Sequence, residues 1–225
     1  MNYGLQKLTL LDYPGKVACT IFIPGCNLRC PFCHNSVLAE NKENLNMTEN
    51  SILDFLSDRT EILDGVAVTG GEPLLFNDIE HFLRRIHDLG YSIKLDTNGT
   101  FPERLENVIR QGLVQYVAMD IKNSPDKYSL TTGIKTDINK IKDSIRIIMS
   151  SGIDYEFRTT VVKEFHTNSD FEEIGRLVSG ARKFTIQKFV DNGSTFVKDL
   201  HCPDEKDIND WVMTMCKYVD NVTVK

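Results

Sequence analysis

Cys26, Cys30 and Cys33 are spaced C-x3-C-x2-C within the run PGCNLRCPFCHN. Three thiolates on one loop can each take one iron of a 4Fe–4S cluster, which leaves the fourth iron without a protein ligand. An open metal position suits catalysis, whereas a structural site fills every position. The alternative is a structural zinc held by Cys26, Cys30, Cys33 and His34. Zinc sites usually take their ligands as two separated pairs, and adjacent Cys33 and His34 would strain a tetrahedron. Three of six cysteines crowd into eight residues. In a reducing compartment that crowding points to metal binding before disulfides.

The elements that must position this loop are legible in outline. Short runs rich in Val, Ile, Thr or Phe, bounded by Gly, Pro, Asn or Asp, predict strands at 17–23, 65–69, 92–96, 116–121, 155–162 and 184–189, with a further edge strand at 221–224. Apolar residues at helical spacing predict helices at 78–89, 102–111, 137–151, 169–179 and 204–219, several closed by a glycine. Strand–helix alternation repeated about six times implies a parallel sheet with right-handed crossovers. The expected fold is α/β, a partial (β/α)6 barrel with a mostly parallel open sheet, in a single domain over 1–225. In such sheets chemistry gathers at the carboxyl ends of the strands.

Residues of chemical interest stand at those ends. Gly70, Gly71 and Glu72, followed by Pro73, come directly after the second predicted strand. Two glycines there allow backbone to approach a ligand closely, although the tetrad alone reads as a turn. Asp96, Thr97, Asn98 and Gly99 end the third strand, and Asn-Gly alone signals a turn. Asp120 and Lys122 end the fourth and face the same side, which a surface ion pair would also explain. Arg158 lies within the fifth strand, where it needs a cross-sheet salt bridge or a ligand. Gln187 lies in the sixth.

The cysteine spacing, with aromatic Phe32 before the last cysteine, resembles the radical S-adenosylmethionine superfamily. That resemblance implies a 4Fe–4S cluster on Cys26, Cys30 and Cys33 whose open iron chelates S-adenosyl-L-methionine, with Phe32 and His34 beside it. It implies that Gly70, Gly71 and Glu72 bind the methionine amino group. It also implies polar contacts from Asp96 and Asn98, a cofactor contact from Asp120 and Lys122, and a monovalent cation near the two aspartates. Arg158 is implied to touch the carboxylate or ribose region. Gln187 stands near where related activases hold the adenine, but some of them use histidine there.

Leu11-Asp12-Tyr13-Pro14-Gly15 before the cysteine loop and Cys33-His34-Asn35 at its end narrow the resemblance to glycyl-radical-enzyme activating proteins, most like that of anaerobic ribonucleoside-triphosphate reductase. The implied reaction abstracts a Cα hydrogen from a glycine of a large partner enzyme, with a flavodoxin- or ferredoxin-type electron donor. About thirty residues separate Asn35 from the second strand and none is cysteine, so no inserted ferredoxin-like segment is expected. An activase of pyruvate formate-lyase, a deazaguanine-forming synthase, and a non-catalytic iron–sulfur or zinc protein remain alternatives.

A net charge of -6 disfavours a nucleic-acid partner. The hydrophobic fraction of 41% and charged fraction of 26% are those of an ordinary globular protein. The amino terminus lacks a secretory pattern and no apolar run is long enough to cross a bilayer, so no membrane role and a cytoplasmic location are expected. Cys19 reads as a small buried hydrophobe, and His81, His87, His166 and His201 receive no role.

Overall fold

The computed structural model describes residues 2–225. The chain runs β1 (Gly4–Thr9), β2 (Ala18–Ile23), α1 (Ser36–Ala39), α2 (Glu49–Ser57), β3 (Gly65–Gly70), α3 (Ile79–Asp88), β4 (Ser92–Thr97), α4 (Pro102–Arg110), β5 (Tyr116–Asp120), α5 (Tyr128–Thr132), α6 (Ile138–Ser150), β6 (Asp154–Val161), α7 (Asn168–Leu177), β7 (Phe184–Lys188), α8 (Glu205–Met215) and β8 (Val222–Val224). All eight strands form one sheet in sequential order. Strands β2 to β8 pair in parallel, and β1 adds to β2 antiparallel. The sheet is the open, mostly parallel one expected from strand–helix alternation, and its ends do not pair.

Its two faces differ in kind. Ile21, Val66, Val68, Ile93, Leu95, Val117, Met119, Phe157, Phe184 and Ile186 are fully buried against the helices. The helices answer with Phe82, Leu83 and Ile86 of α3, Leu105 and Val108 of α4, Ile141 and Ile148 of α6, Phe171 and Ile174 of α7 and Trp211 of α8. Because side chains alternate along a strand, the other set, Thr20, Lys94, Asp96, Asp120, Glu156, Arg158 and Thr185, shares the concave face. The apolar face makes the core; the polar face makes the site.

The short caps also follow from sequence. Asp137 accepts the N–H of Asn139 at the start of α6, and Thr167 with Asp170 forms a reciprocal capping box on α7. Four elements exceed the sequence expectation: β1, the short helices α1 and α5, and α2. Strand β1 carries three exposed residues, Gln6, Lys7 and Leu8, so an alternating buried pattern is missing. Helix α2 lies in the stretch after the cysteine loop, with Thr48 as its cap. The edge strand expected at 221–224 is present as β8. Among the described residues no helix is long and apolar enough to cross a membrane.

Candidate active site

The loop between β2 and α1 holds the three cysteines, and four separate parts of the chain fix its backbone. Gly25 and Cys26 donate their N–H groups to the carbonyls of Leu38 and Ala39 in α1, at 2.9 and 3.1 Å. Gly71 donates to Ile23 and Glu72 to Gly25, both at 2.9 Å, so the turn after β3 is laced to the loop from the other side. Arg29 donates to Thr132 at the end of α5 at 2.9 Å. Val197 donates to Pro31 at 3.0 Å, and the Asn192 side chain donates to the carbonyl of His34 at 3.1 Å. Residues 190–201 therefore form a strap across the loop, an arrangement for which the sequence carries no motif.

The glycines after β3 serve this lacing. A Cβ on Gly70 would lie 2.3 Å from the Ile23 carbonyl, and one on Gly71 would lie 1.9 Å from that of Gly25. Gly70 also sits at φ +125°, a conformation L side chains rarely adopt. The close approach expected toward a ligand is instead toward the neighbouring backbone, although both glycines also line the cavity.

The cavity at this end of the sheet measures about 200 Å³. Cys26, Cys30 and Cys33 line it with Phe32, His34, Gly70, Gly71, Asp96, Asn98, Asp120, Lys122 and Arg158. Twelve of the fourteen residues singled out by sequence meet here. The other two, Glu72 and Gln187, do not line it. Glu72 is fully buried behind the turn, where its carboxylate accepts from Leu74 N at 3.0 Å, Thr97 Oγ1 at 2.8 Å and Asn98 N at 2.6 Å. Its carboxylate thus ties the turn after β3 to the end of β4, and it does not itself line the cavity. Gln187 lies one strand further on, 3.5 Å from Thr160 Oγ1, and it is Thr160 that lines the cavity.

Asp96, Asp120, Lys122 and Arg158 form one charged network, joined from below by Lys94. Arg158 donates through Nε to Asp120 at 2.9 Å and through Nη1 to Asp96 at 3.2 Å. Lys122 pairs with Asp120 at 3.0 Å, and Lys94, only 2% exposed, pairs with Asp96. Burial opposes the charge on Asp120, but Arg158 and Lys122 outweigh it and hold the carboxyl down to about 2. Burial likewise opposes the charge on Lys122, and Asp120 outweighs it, holding the ammonium protonated. Burial pushes the Cys30 thiol up to about 11 and raises Cys26 and Cys33 as well. Metal ligation would therefore have to displace their protons.

The residues fit a cluster bearing an open position better than a single ion. Among the described residues no group of three His, Cys, Asp or Glu side chains is arranged as a single-ion site. His34 stacks on Phe189 with ring centroids 5.4 Å apart, and its buried Nε2 has no hydrogen-bond partner. A polar atom left in that state asks for a ligand. Asn98 reaches from its turn to Asn27 Oδ1 at 3.0 Å and lies 3.9 Å from the Cys26 sulfur.

One positioning contact escaped the sequence. His166 donates from Nε2 to the carbonyl of Lys122 at 3.0 Å and accepts from Val162 N at 3.1 Å. Its ring lies edge-on to Phe32, 6.4 Å between centroids. Besides Val162 nearby, its partners lie 44 residues away or on the cysteine loop, and a lone histidine carries no signal of that.

Comparison with known proteins agrees with this geometry. The profile of the radical SAM superfamily matches residues 20–178. A protein of Methanocaldococcus jannaschii named as a glycyl-radical enzyme activating enzyme is 34% identical over 99% of this chain and 94% of its own. A second protein of that organism with the same kind of name is 24% identical over 97% of this chain and 80% of its own. The crystal structure of a radical SAM methyltransferase from Sphaerobacter thermophilus superposes with a TM-score of 0.74 at 17% identity, covering 97% of this chain and 68% of that one.

Proposed function

The chain belongs to the radical SAM superfamily, and from that premise we propose that it is a glycyl-radical-enzyme activase. One observation carries the reading: three thiols, two glycine backbones and a charged network share one cavity at the open end of an open sheet. The full-length relative named as an activating enzyme supports the activase over a small-molecule enzyme.

A 4Fe–4S cluster would be held by Cys26, Cys30 and Cys33 and, once reduced by an external donor, would supply the electron for reductive cleavage of S-adenosyl-L-methionine and so for hydrogen abstraction from a glycine Cα of the partner. The chain's own residues bind and orient. Lys122 and Arg158 present cationic donors to the carboxylate of the cofactor, while the backbone at Gly70 and Gly71 and the Asn98 amide offer polar contacts. Phe32, with Phe165, Phe189, Val162 and Leu200, forms a dry wall beside the cysteines that excludes water from a reactive site.

The partner proposed is anaerobic ribonucleoside-triphosphate reductase, with a flavodoxin- or ferredoxin-type electron donor, in the cytoplasm. This rests on the flanks Asp12–Gly15 and His34–Asn35. The test is anaerobic incubation of reduced, cluster-loaded protein with S-adenosyl-L-methionine and the reductase. The expected result is a glycyl doublet in the electron paramagnetic resonance spectrum, absent with Cys30→Ala. Cofactor cleavage without a doublet on any glycyl radical enzyme would overturn the activase reading and leave the cofactor chemistry standing.

A further inference from the structure

A monovalent cation beside Asp96 and Asp120 does not fit the charges around these residues. All four carboxylate oxygens already carry a cationic donor: Asp96 Oδ1 takes Lys94, Asp96 Oδ2 takes Arg158, Asp120 Oδ1 takes Arg158 and Asp120 Oδ2 takes Lys122. Three positive side chains face two negative ones, and nearby Glu156 is itself paired with Lys183 at 3.5 Å, so this corner keeps a local charge of +1. A further cation would meet repulsion there, whereas an anionic group would be drawn in.

Lys94 is the unusual member. It does not line the cavity, and it rises from one position lower on the inward face of β4, between Ala67 of β3 and Tyr116 of β5 in the sheet register. At 2% exposure an ammonium is costly unless paired. Among the described residues its one ion-pair partner is Asp96. An apolar residue at this depth would avoid that cost, so the position makes sense only if Asp96 must be neutralised.

We propose that Lys94 is the built-in cation of this site: its ammonium holds and neutralises Asp96 from beneath, so that cofactor binding requires neither sodium nor potassium. Lys94 is thus a positioning residue acting through Asp96. The carboxylate pair stays aligned for Arg158, and the net positive corner is left free for the cofactor carboxylate. The inference rests on reading the cavity as an S-adenosyl-L-methionine site.

The test compares potassium, sodium and choline chloride at equal ionic strength. Cluster-loaded wild type should bind S-adenosyl-L-methionine with a Kd that agrees within about twofold among the three salts. Lys94→Met should bind about tenfold more weakly in choline and recover in sodium or potassium, because removing the ammonium opens the place for an ion. A second arm needs neither cluster nor cofactor. The Tm of the metal-free wild type should be the same in all three salts, while Lys94→Met, or Lys94→Gln if the first does not fold, should gain a rise specific to an alkali cation. Wild-type binding or Tm that depends on sodium or potassium over choline would overturn the proposal without any variant. Absence of cofactor binding in every salt would instead sink the cofactor reading, and the melting arm would still decide the role of Lys94.

Discussion

The carboxylate of Glu72 accepts the backbone N–H of Asn98 at 2.6 Å, which ties the turn after β3 to the turn after β4. Two strand ends that both border the cavity are thereby joined directly. Burial pushes the Glu72 carboxyl up to about 7, against three donors that favour its charged form. Glu72→Ala leaves the N–H groups of Leu74 and Asn98 and the Thr97 hydroxyl buried without this acceptor. We expect a loss of about 2–4 kcal/mol in urea unfolding, since each orphaned donor costs about 1–3 kcal/mol and some will find water. A change below about 0.5 kcal/mol would show that the latch is dispensable.

Gly71→Ala tests the lacing of the cysteine loop. The added methyl would stand 1.9 Å from the Gly25 carbonyl, backbone that has no rotamer to escape into. The loop must shift away from the turn, and ordered thiols are what metal loading needs. Reconstituted Gly71→Ala should hold less than about a quarter of the wild-type iron per chain while keeping its helical circular dichroism. Full iron loading would refute the link between this glycine and the loop.

Arg158 reaches two carboxylates through different nitrogens, a geometry that depends on the fork of a guanidinium. Arg158→Lys retains the charge but replaces the planar fork with a single nitrogen, which cannot hold both aspartates at their present positions. We expect S-adenosyl-L-methionine binding to weaken by about tenfold or more in Arg158→Lys, from equilibrium dialysis on cluster-loaded protein. Wild-type affinity in this variant would mean that charge alone, without the shared geometry, suffices.

His166 predicts a pH effect with a definite sign. Burial lowers its pKa below the ordinary 6.5, so the folded protein binds fewer protons than the unfolded chain just below that value. Its contribution to stability is therefore fully present above 6.5 and is lost as pH falls through the lowered folded value. His34 is lowered by burial as well and adds in the same direction. His166→Gln should melt lower at pH 8 and show a flatter decline between neutral pH and pH 5 than wild type, by calorimetry. A variant as steep as wild type would assign the acid limb to other groups.

The sequence by itself determined the class of chemistry and the address of the site. Three cysteines spaced for three irons, placed after a β-branched run, are local facts, and local facts survive folding. Strand–helix alternation likewise sufficed for a parallel open sheet, because helical and strand periods are written in neighbouring residues. The strand ends then named Asp96, Asn98, Asp120, Lys122 and Arg158, and all five line the cavity.

Tertiary structure decided which way each side chain is used. Glu72 stands in the same turn as Gly70 and Gly71, yet its carboxylate turns inward because three donors from β4 and its own turn lie behind it. Gln187 falls one strand beyond the cavity, a matter of sheet register and not of motif. Lys94 was visible as a residue two positions before Asp96, but its meaning depends on Arg158, 64 positions along the chain, already occupying the other oxygen of Asp96. His166 and the strap at 190–201 act through backbone groups distant in sequence, and a backbone carbonyl has no letter of its own. Which groups are buried together, and which are left with charge to spare, is a property of the folded sheet face. No spacing along the chain records it.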